Sequence, residues 1–358
     1  MNLDLLWEIG LITGSTFFIV VILVPFVKKI AFHIEAIDYP DERKIHKTPI
    51  PRIGGIALFL GFLFGFMVFL EPSGIMNSIL IGSFIVVLIG VIDDIKPLTS
   101  KVKFIGQLAA ASVIVFYGNI LISDVGIAGQ ELGFGFWAYP LTLFFIVGCI
   151  NCMNFIDGLD GLASGISAVY FLTIGIIAIV MEKFGLDFVL TFIMLGCVLG
   201  FLLYNFNPAS IFMGDSGSMF LGFVVSVVAL LGFKNVTLTS LIVPLIILAI
   251  PILDIIFAII RRTIKGQSIS GPDKFHIHHQ LLAKKLSQRT VVLIIIVVNI
   301  LFASASLLYL FGDPQLGKIV YAMLVLIVLF FVLKTNIIVE ESYWNRLRYS
   351  FSKRRKHE

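Results

Sequence analysis

Charge is what this sequence has least of. Asp, Glu, Lys and Arg make up 13% of the 358 residues, against 59% that are hydrophobic; soluble domains carry about a quarter charged residues, so a soluble globular protein is excluded. Cysteine is scarce as well. Cys149, Cys152 and Cys197 all lie inside apolar runs, which excludes a disulfide framework. The single C-x-x-C has no basic neighbour to favour a thiolate and no second pair to complete a zinc site, so the three read as small packing residues. The first apolar run follows Asp4 and Glu8 rather than Lys or Arg and lacks a small-residue cleavage site, so it reads as a retained helix. The formal charge of +4 matters through its placement, not its sum, and nucleic acid is not implied.

What the chain has in abundance is apolar runs. About 20 apolar residues cross the hydrocarbon core of a bilayer, and about eleven such runs recur, near 6–27, 53–70, 75–92, 102–122, 136–153, 162–181, 188–204, 219–233, 239–260, 290–311 and 319–333. Phe (34) and Gly (31) suit lipid-facing bulk alternating with close helix contacts. The expected fold class is an all-α polytopic integral membrane protein. With the N-terminus outside and the C-terminus cytoplasmic, 23 of the 26 Lys and Arg fall on inner segments, leaving Lys183, Lys234 and Lys318 outside. That segregation follows the positive-inside rule. No repeat or long linker divides the chain, so one transmembrane catalytic domain is expected over 1–333, followed by a basic tail over 334–358. The tail places Lys353, Arg354, Arg355 and Lys356 beside Trp344 and Tyr349, a pattern suited to anionic lipid.

Inner loops are expected at 28–52, 93–103, 154–161, 205–218 and 261–289. Two of them, 154–161 and 205–218, hold no Lys or Arg but carry Asp157, Asp160 and Asp215 among Asn and Gly; Asp93 and Asp94 close the third run on the same side. An Asp near the hydrocarbon costs about 2.5–3.5 kcal/mol on insertion scales, so five without a function would be expensive, although singly each could cap a turn. Clustered carboxylates repel unless a hard cation such as Mg²⁺ sits among them, with phosphate oxygens completing its octahedron. A diphosphate is the natural partner. Lys44, His46, Lys47 and Arg52, then Lys101 and Lys103, then Arg261, Arg262, Lys265, Lys274, His276, His278 and His279 supply cations and imidazoles suited to phosphate. Zinc is the rival reading of the histidines, but thiolates and a second spaced pair are missing. Asp254 lies within the ninth run, seven residues before Arg261 and on the same helix face, either as a salt bridge or as a support for the site.

These motifs resemble the polyprenyl-phosphate N-acetylhexosamine-1-phosphate transferases over about residues 38–285. The pieces are Asp41 to Gly55 with Pro51-Arg52-Ile53-Gly54-Gly55, Asp93-Asp94 followed by Lys103-Phe104-Ile105-Gly106-Gln107, the loop Asn154 to Gly161, the stretch Asn205 to Gly217, and His276 to His279. The Arg261 to His279 loop is similar to the WecA/TagO branch. That implies UDP-N-acetylglucosamine, or another UDP-N-acetylhexosamine, as donor and undecaprenyl phosphate as acceptor, yielding lipid diphosphate sugar and UMP for a cell-surface polysaccharide; a homodimer is one assembly open to the chain, which the sequence does not decide. The peptidoglycan translocase branch, acting on phospho-MurNAc-pentapeptide, is the alternative. The resemblance implies Mg²⁺, with Mn²⁺ as a substitute, held by Asp215 with Asp93 and Asp94. It implies a catalytic set of Asp93, Asp94, Asp157, Asp160 and His278, and substrate contacts from Lys44, His46, Arg52, Lys103, Asn154, Asn205, Phe212, Arg261, Arg262, His276 and His279. The short loop between Asp94 and Lys103 departs from the translocase pattern and leaves Lys96 and Lys101 without a role. An ion-coupled transporter is the reading from another class, but its charges belong near the midplane, whereas here all but Asp254 lie toward one surface.

Overall fold

The computed structural model describes residues 3–40, 48–127, 130–232, 249–264 and 277–334. Within the first compact unit, residues 1–248, the helices are α1 (Leu3–His33), α2 (Gly55–Phe69), α3 (Gly74–Ile95), α4 (Ser100–Ser112), α5 (Ala138–Ile156), α6 (Leu162–Val180), α7 (Leu186–Asn205) and α8 (Gly214–Gly232). The second unit, residues 249–358, contributes α9 (Ala249–Ile264), α10 (Ile277–Ala283), α11 (Gln288–Phe311) and α12 (Pro314–Lys334). Helix is the outcome because hydrocarbon offers no partner to a bare N–H or C=O, and a helix satisfies both internally. Among the described residues nine helical segments are long and apolar enough to cross a membrane, and α2 is a shorter apolar helix of 15 residues. The chain is an all-α, multi-pass membrane protein. The run expected at 239–260 lies partly outside the described residues.

Helix ends differ from the hydropathy reading. α1 continues through Lys28 and Lys29 to His33, since long basic side chains can lay their stems on apolar surface and hold their heads in water. α3 runs past the apolar stretch to include Asp93 and Asp94, and α4 already contains Lys101 and Lys103. The run expected to reach 122 stops at a π-helical turn, Val113–Tyr117. Two small antiparallel pairs were not expected: β1 (Ile37–Asp38) with β2 (Ile50–Pro51), and the hairpin β3 (Asp124–Ile127) with β4 (Gln130–Gly133).

The first unit is organised around α8, which is buried along most of its length and is the most enclosed of the membrane-length helices among the described residues. It packs on α5, α3, α2 and α7, while α1 packs on α7 and α2. Pro25, inside α1, has no N–H and leaves the Val21 carbonyl without its helical donor; the Tyr204 hydroxyl of α7 donates to that carbonyl at 3.1 Å. The three cysteines are free and buried, as small packing residues should be.

Candidate active site

The end of α3 and the starts of α4 and α8 meet at one point. Asp93 and Asp94 are consecutive in the last turn of α3, so their side chains diverge by about 100° and serve different neighbours. Asp93 accepts from the Leu98 N–H at 2.6 Å and from Lys103 Nζ at 3.3 Å. Asp94 turns to α8, accepting from the Asp215 N–H at 2.8 Å, the Ser216 N–H at 3.1 Å and Ser216 Oγ at 2.7 Å, with Arg52 Nη2 at 3.4 Å. Its side chain is fully enclosed. Asp94 therefore acts as an inter-helix cap: it satisfies amides that the start of α8 leaves open and sets a negative charge against the positive end of the helix dipole.

Asp215, in the first turn of α8, receives Lys103 Nζ at 2.7 Å, so one ammonium spans Asp93 and Asp215. Close backbone approach makes this possible. Gly214 turns into α8 at φ +70°, and a Cβ there would strike the Arg52 carbonyl and the Asp94 carboxylate; a Cβ on Gly55 would strike the Gly217 backbone, and one on Gly90 that of Ser216. The Pro51–Gly55 stretch lies along the chain entering α8. Phe212 N–H donates to Pro51 O at 2.7 Å, Gly54 N–H to Phe212 O at 3.0 Å and Gly55 N–H to Met213 O at 2.9 Å.

On the other flank Asn154, in the last turn of α5, donates from Nδ2 to Ser218 Oγ at 2.9 Å, and that hydroxyl donates to Gly214 O at 3.0 Å. Asp160 Oδ2 accepts from Asn207 Nδ2 at 2.9 Å and from the Ala209 N–H at 3.1 Å; buried Asn205 accepts from Ser164 Oγ at 2.7 Å and donates to Ile211 O at 3.0 Å. Both residues tie the 156–161 turn and α6 to the 206–213 loop. Asp157, just past α5, accepts no hydrogen bond from a described residue. Burial first, then the negative fields of Asp215, Asp94 and Asp160, hold its carboxyl well above the ordinary carboxylate range, with Arg52 acting in the opposite direction.

Of the residues expected from sequence, the structure brings Arg52, Asp93, Asp94, Lys103, Asn154, Asp157 and Asp215 together, with Asp160, Asn205 and Phe212 in the adjoining loops. Lys44, His46 and His276, and the side chain of His278, lie outside the described residues. Arg261, Arg262 and Asp254 are buried on α9 of the second unit, and His279 is half-buried on α10. Ser216, Ser218 and Asn207 were missed. Their only sequence signal is adjacency to Asp215 and Asn205, because hydroxyls and amides beside an Asp are also ordinary turn formers.

Among the described residues no group of three or more His, Cys, Asp or Glu forms a ready metal cage, and both Asp94 oxygens are taken by protein donors. Mg²⁺ does not require a cage, since it is commonly bound by one or two carboxylates together with substrate phosphates. Asp93 and Asp215 already share one positive charge, that of Lys103, so their chemistry fits a hard cation.

Residues 76–233, from the start of α3 to just past α8, match glycosyl transferase family 4. The chain is 42% identical to a probable undecaprenyl-phosphate N-acetylglucosaminyl 1-phosphate transferase of Bacillus subtilis (strain 168), over 80% of this chain and 81% of that protein. The chain belongs to glycosyl transferase family 4. Within this family it is 34% identical to a decaprenyl-phosphate N-acetylglucosaminephosphotransferase of Mycobacterium tuberculosis (strain ATCC 25618 / H37Rv), over 83% of this chain and 82% of that one. It is 32% identical to an undecaprenyl-phosphate alpha-N-acetylglucosaminyl 1-phosphate transferase of Escherichia coli (strain K12), over 89% and 88%. The resemblance drawn from the motifs therefore holds, and the region matching glycosyl transferase family 4 contains Asp93, Asp94, Lys103, Asn154 and Asp215.

Proposed function

We propose that this protein transfers N-acetylglucosamine 1-phosphate from UDP-N-acetylglucosamine to undecaprenyl phosphate at the cytosolic face of the cytoplasmic membrane. The products are undecaprenyl diphosphate N-acetylglucosamine and UMP. The observation that carries this reading is the Asp93–Lys103–Asp215 cluster at the mouth of three membrane helices, in a chain whose relatives are named for this transfer. It combines carboxylates for a cation with an ammonium for phosphate at the ends of apolar helices, which suits an acceptor held in lipid and a donor held in water.

The chemistry follows from charge. An oxygen of the lipid phosphate attacks the β-phosphorus of the donor, a new P–O bond forms, and the bond to the bridging oxygen breaks, its electron pair leaving with UMP. A phosphate monoester already carries nucleophilic oxygens near neutral pH, so positioning and neutralisation supply most of the acceleration. Bound Mg²⁺, or Mn²⁺ in its place, would neutralise the diphosphate and ease departure of UMP. Asp215 and Asp93 would hold it, Lys103 would attract the phosphates, and Arg52 sits behind Asp94 as a further cation. Asp94 keeps Asp215 in place, and Asn154 and Asp157 line the nucleotide side. The attack is direct, without an aspartyl intermediate.

Purified protein in detergent should release UMP from UDP-N-acetylglucosamine only with both undecaprenyl phosphate and Mg²⁺ present, and should ignore UDP-MurNAc-pentapeptide. Equal turnover of the pentapeptide donor would assign it to the translocase reaction instead.

A further inference from the structure

One helical turn below the charged cluster lies a second polar layer that the transfer chemistry does not use. Gln107 and Asn151 face each other across α4 and α5. Asn151 Nδ2 donates to Gln107 Oε1 at 2.7 Å and to the Val147 carbonyl of its own helix at 2.8 Å, while Gln107 Nε2 faces Asn151 Oδ1 and Met219 Sδ, each at 3.4 Å. Gln107 is buried, as is Met219. Neither amide is near enough to the helix ends to cap them, since α4 runs from Ser100 to Ser112 and α5 from Ala138 to Ile156.

The sequence offsets give this layer its meaning. Gln107 follows Lys103 by four residues on α4, Met219 follows Asp215 by four on α8, and Asn151 precedes Asn154 by three on α5. Each offset is about one turn, or roughly 4.5–6 Å along its helix. The three helices joined in the lower layer are therefore the same three that carry Lys103, Asp215 and Asn154 in the upper one. Pairing two amides between membrane helices adds little stability, because each helix can find other polar partners in the unassembled state. What two amides exchanging donor and acceptor do supply is register: helices sliding by a fraction of a turn would break both contacts at once.

We infer that Gln107 and Asn151 are positioning residues, which lock α4 against α5 beside α8 so that Lys103 reaches both Asp93 and Asp215. This rests on the transferase reading above. It extends that reading to residues that touch no substrate. Lys103 is the group most exposed to misregister, because it must satisfy contacts of 3.3 and 2.7 Å on two different helices.

The test uses full-length protein in detergent, with UMP release measured across UDP-N-acetylglucosamine concentrations. Wild-type release under these conditions decides the transferase reading by itself, so its failure is seen separately. The informative variant is the double change Gln107→Met with Asn151→Leu, which leaves no orphaned amide and should keep the thermal midpoint near that of the wild type. Its kcat should fall at least about tenfold, as misplaced catalytic groups cost that much or more, with KM for the donor changed by less than about twofold. The exchange Gln107→Asn with Asn151→Gln keeps the combined reach of the pair and should restore kcat to within about threefold. Each single apolar change should cost about as much kcat as the double one, since the pair acts as a unit. A folded double variant with wild-type kcat would reduce the pair to structural glue. A kcat loss not recovered by the exchange would equally overturn the inference.

Discussion

Replacing Asp94 by Asn separates a structural carboxylate from a catalytic one. Asn has nearly the same shape and at an exposed helix start caps about as well as Asp. Here both oxygens are used: one accepts the Asp215 N–H and faces Arg52, the other accepts the Ser216 N–H and hydroxyl. An amide keeps a single acceptor oxygen. Whichever way it turns, its NH₂ group meets a backbone N–H, and one enclosed donor loses its partner. Leaving such a group unpaired costs about 1–3 kcal/mol, and losing the charge opposite Arg52 adds to it. Asp94→Asn should therefore lower stability by about 2–4 kcal/mol, read as a lower thermal midpoint in detergent without substrate or metal. Activity should fall with it, because Asp215 loses the bond that fixes its backbone. Unchanged stability with activity lost and a raised Mg²⁺ requirement would refute this reasoning, placing the Asp94 carboxylate on the cation.

Asp215→Asn should leave the folded protein intact and reduce turnover at least about a hundredfold, on the order of 2.7 kcal/mol of transition-state stabilisation; near-normal turnover with unchanged Mg²⁺ titration would remove Asp215 from the site. Tyr204→Phe strips the Val21 carbonyl of its donor beside Pro25 and should cost about 1 kcal/mol of stability with little effect on turnover, measured by unfolding and UMP release. Asp157 holds its proton above the ordinary carboxylate range, so the native state binds more protons than the unfolded chain, and stability should fall as pH rises from about 4 toward that raised value. Asp157→Asn should flatten that slope in metal-free detergent, and an identical slope in both proteins would contradict it. Cysteine at Ser100 should be labelled by an impermeant reagent only after cells are permeabilised, and cysteine at Glu71 without permeabilisation; the reverse pattern would invert the topology.

The membrane spans were legible because hydrocarbon allows few alternatives: an apolar run near 75–92 becomes α3. Its end was not legible. Asp93 and Asp94 look like a loop by hydropathy, yet they stay helical because Lys103, Arg52 and the start of α8 pay for their burial. The carboxylates were likewise visible as a group, since an acidic inner loop breaks the positive-inside pattern. Their separate duties were not visible. That Asp94 serves α8, 121 residues from Asp215, or that Asp160 ties down Asn207, depends on contacts no local pattern encodes. Asn151 was hidden differently, as a single amide inside an apolar helix, and Gln107 was visible only as the end of the Lys103 to Gln107 motif, with nothing to indicate its partner.

The cap by Asp94 also has a consequence for biosynthesis. α3 leaves the ribosome more than a hundred residues before the amides of Asp215 and Ser216 exist. Until then its last turn carries a carboxylate without those partners, and holding it near the hydrocarbon would cost about 2.5–3.5 kcal/mol on insertion scales. Keeping that turn in water until α8 is made would avoid the cost. The charged cluster can close only once the start of α8 has been made. A nascent chain halted before Gly214 would hold Asp93 and Lys103 but lack Asp215, the carboxylate that Lys103 Nζ approaches at 2.7 Å.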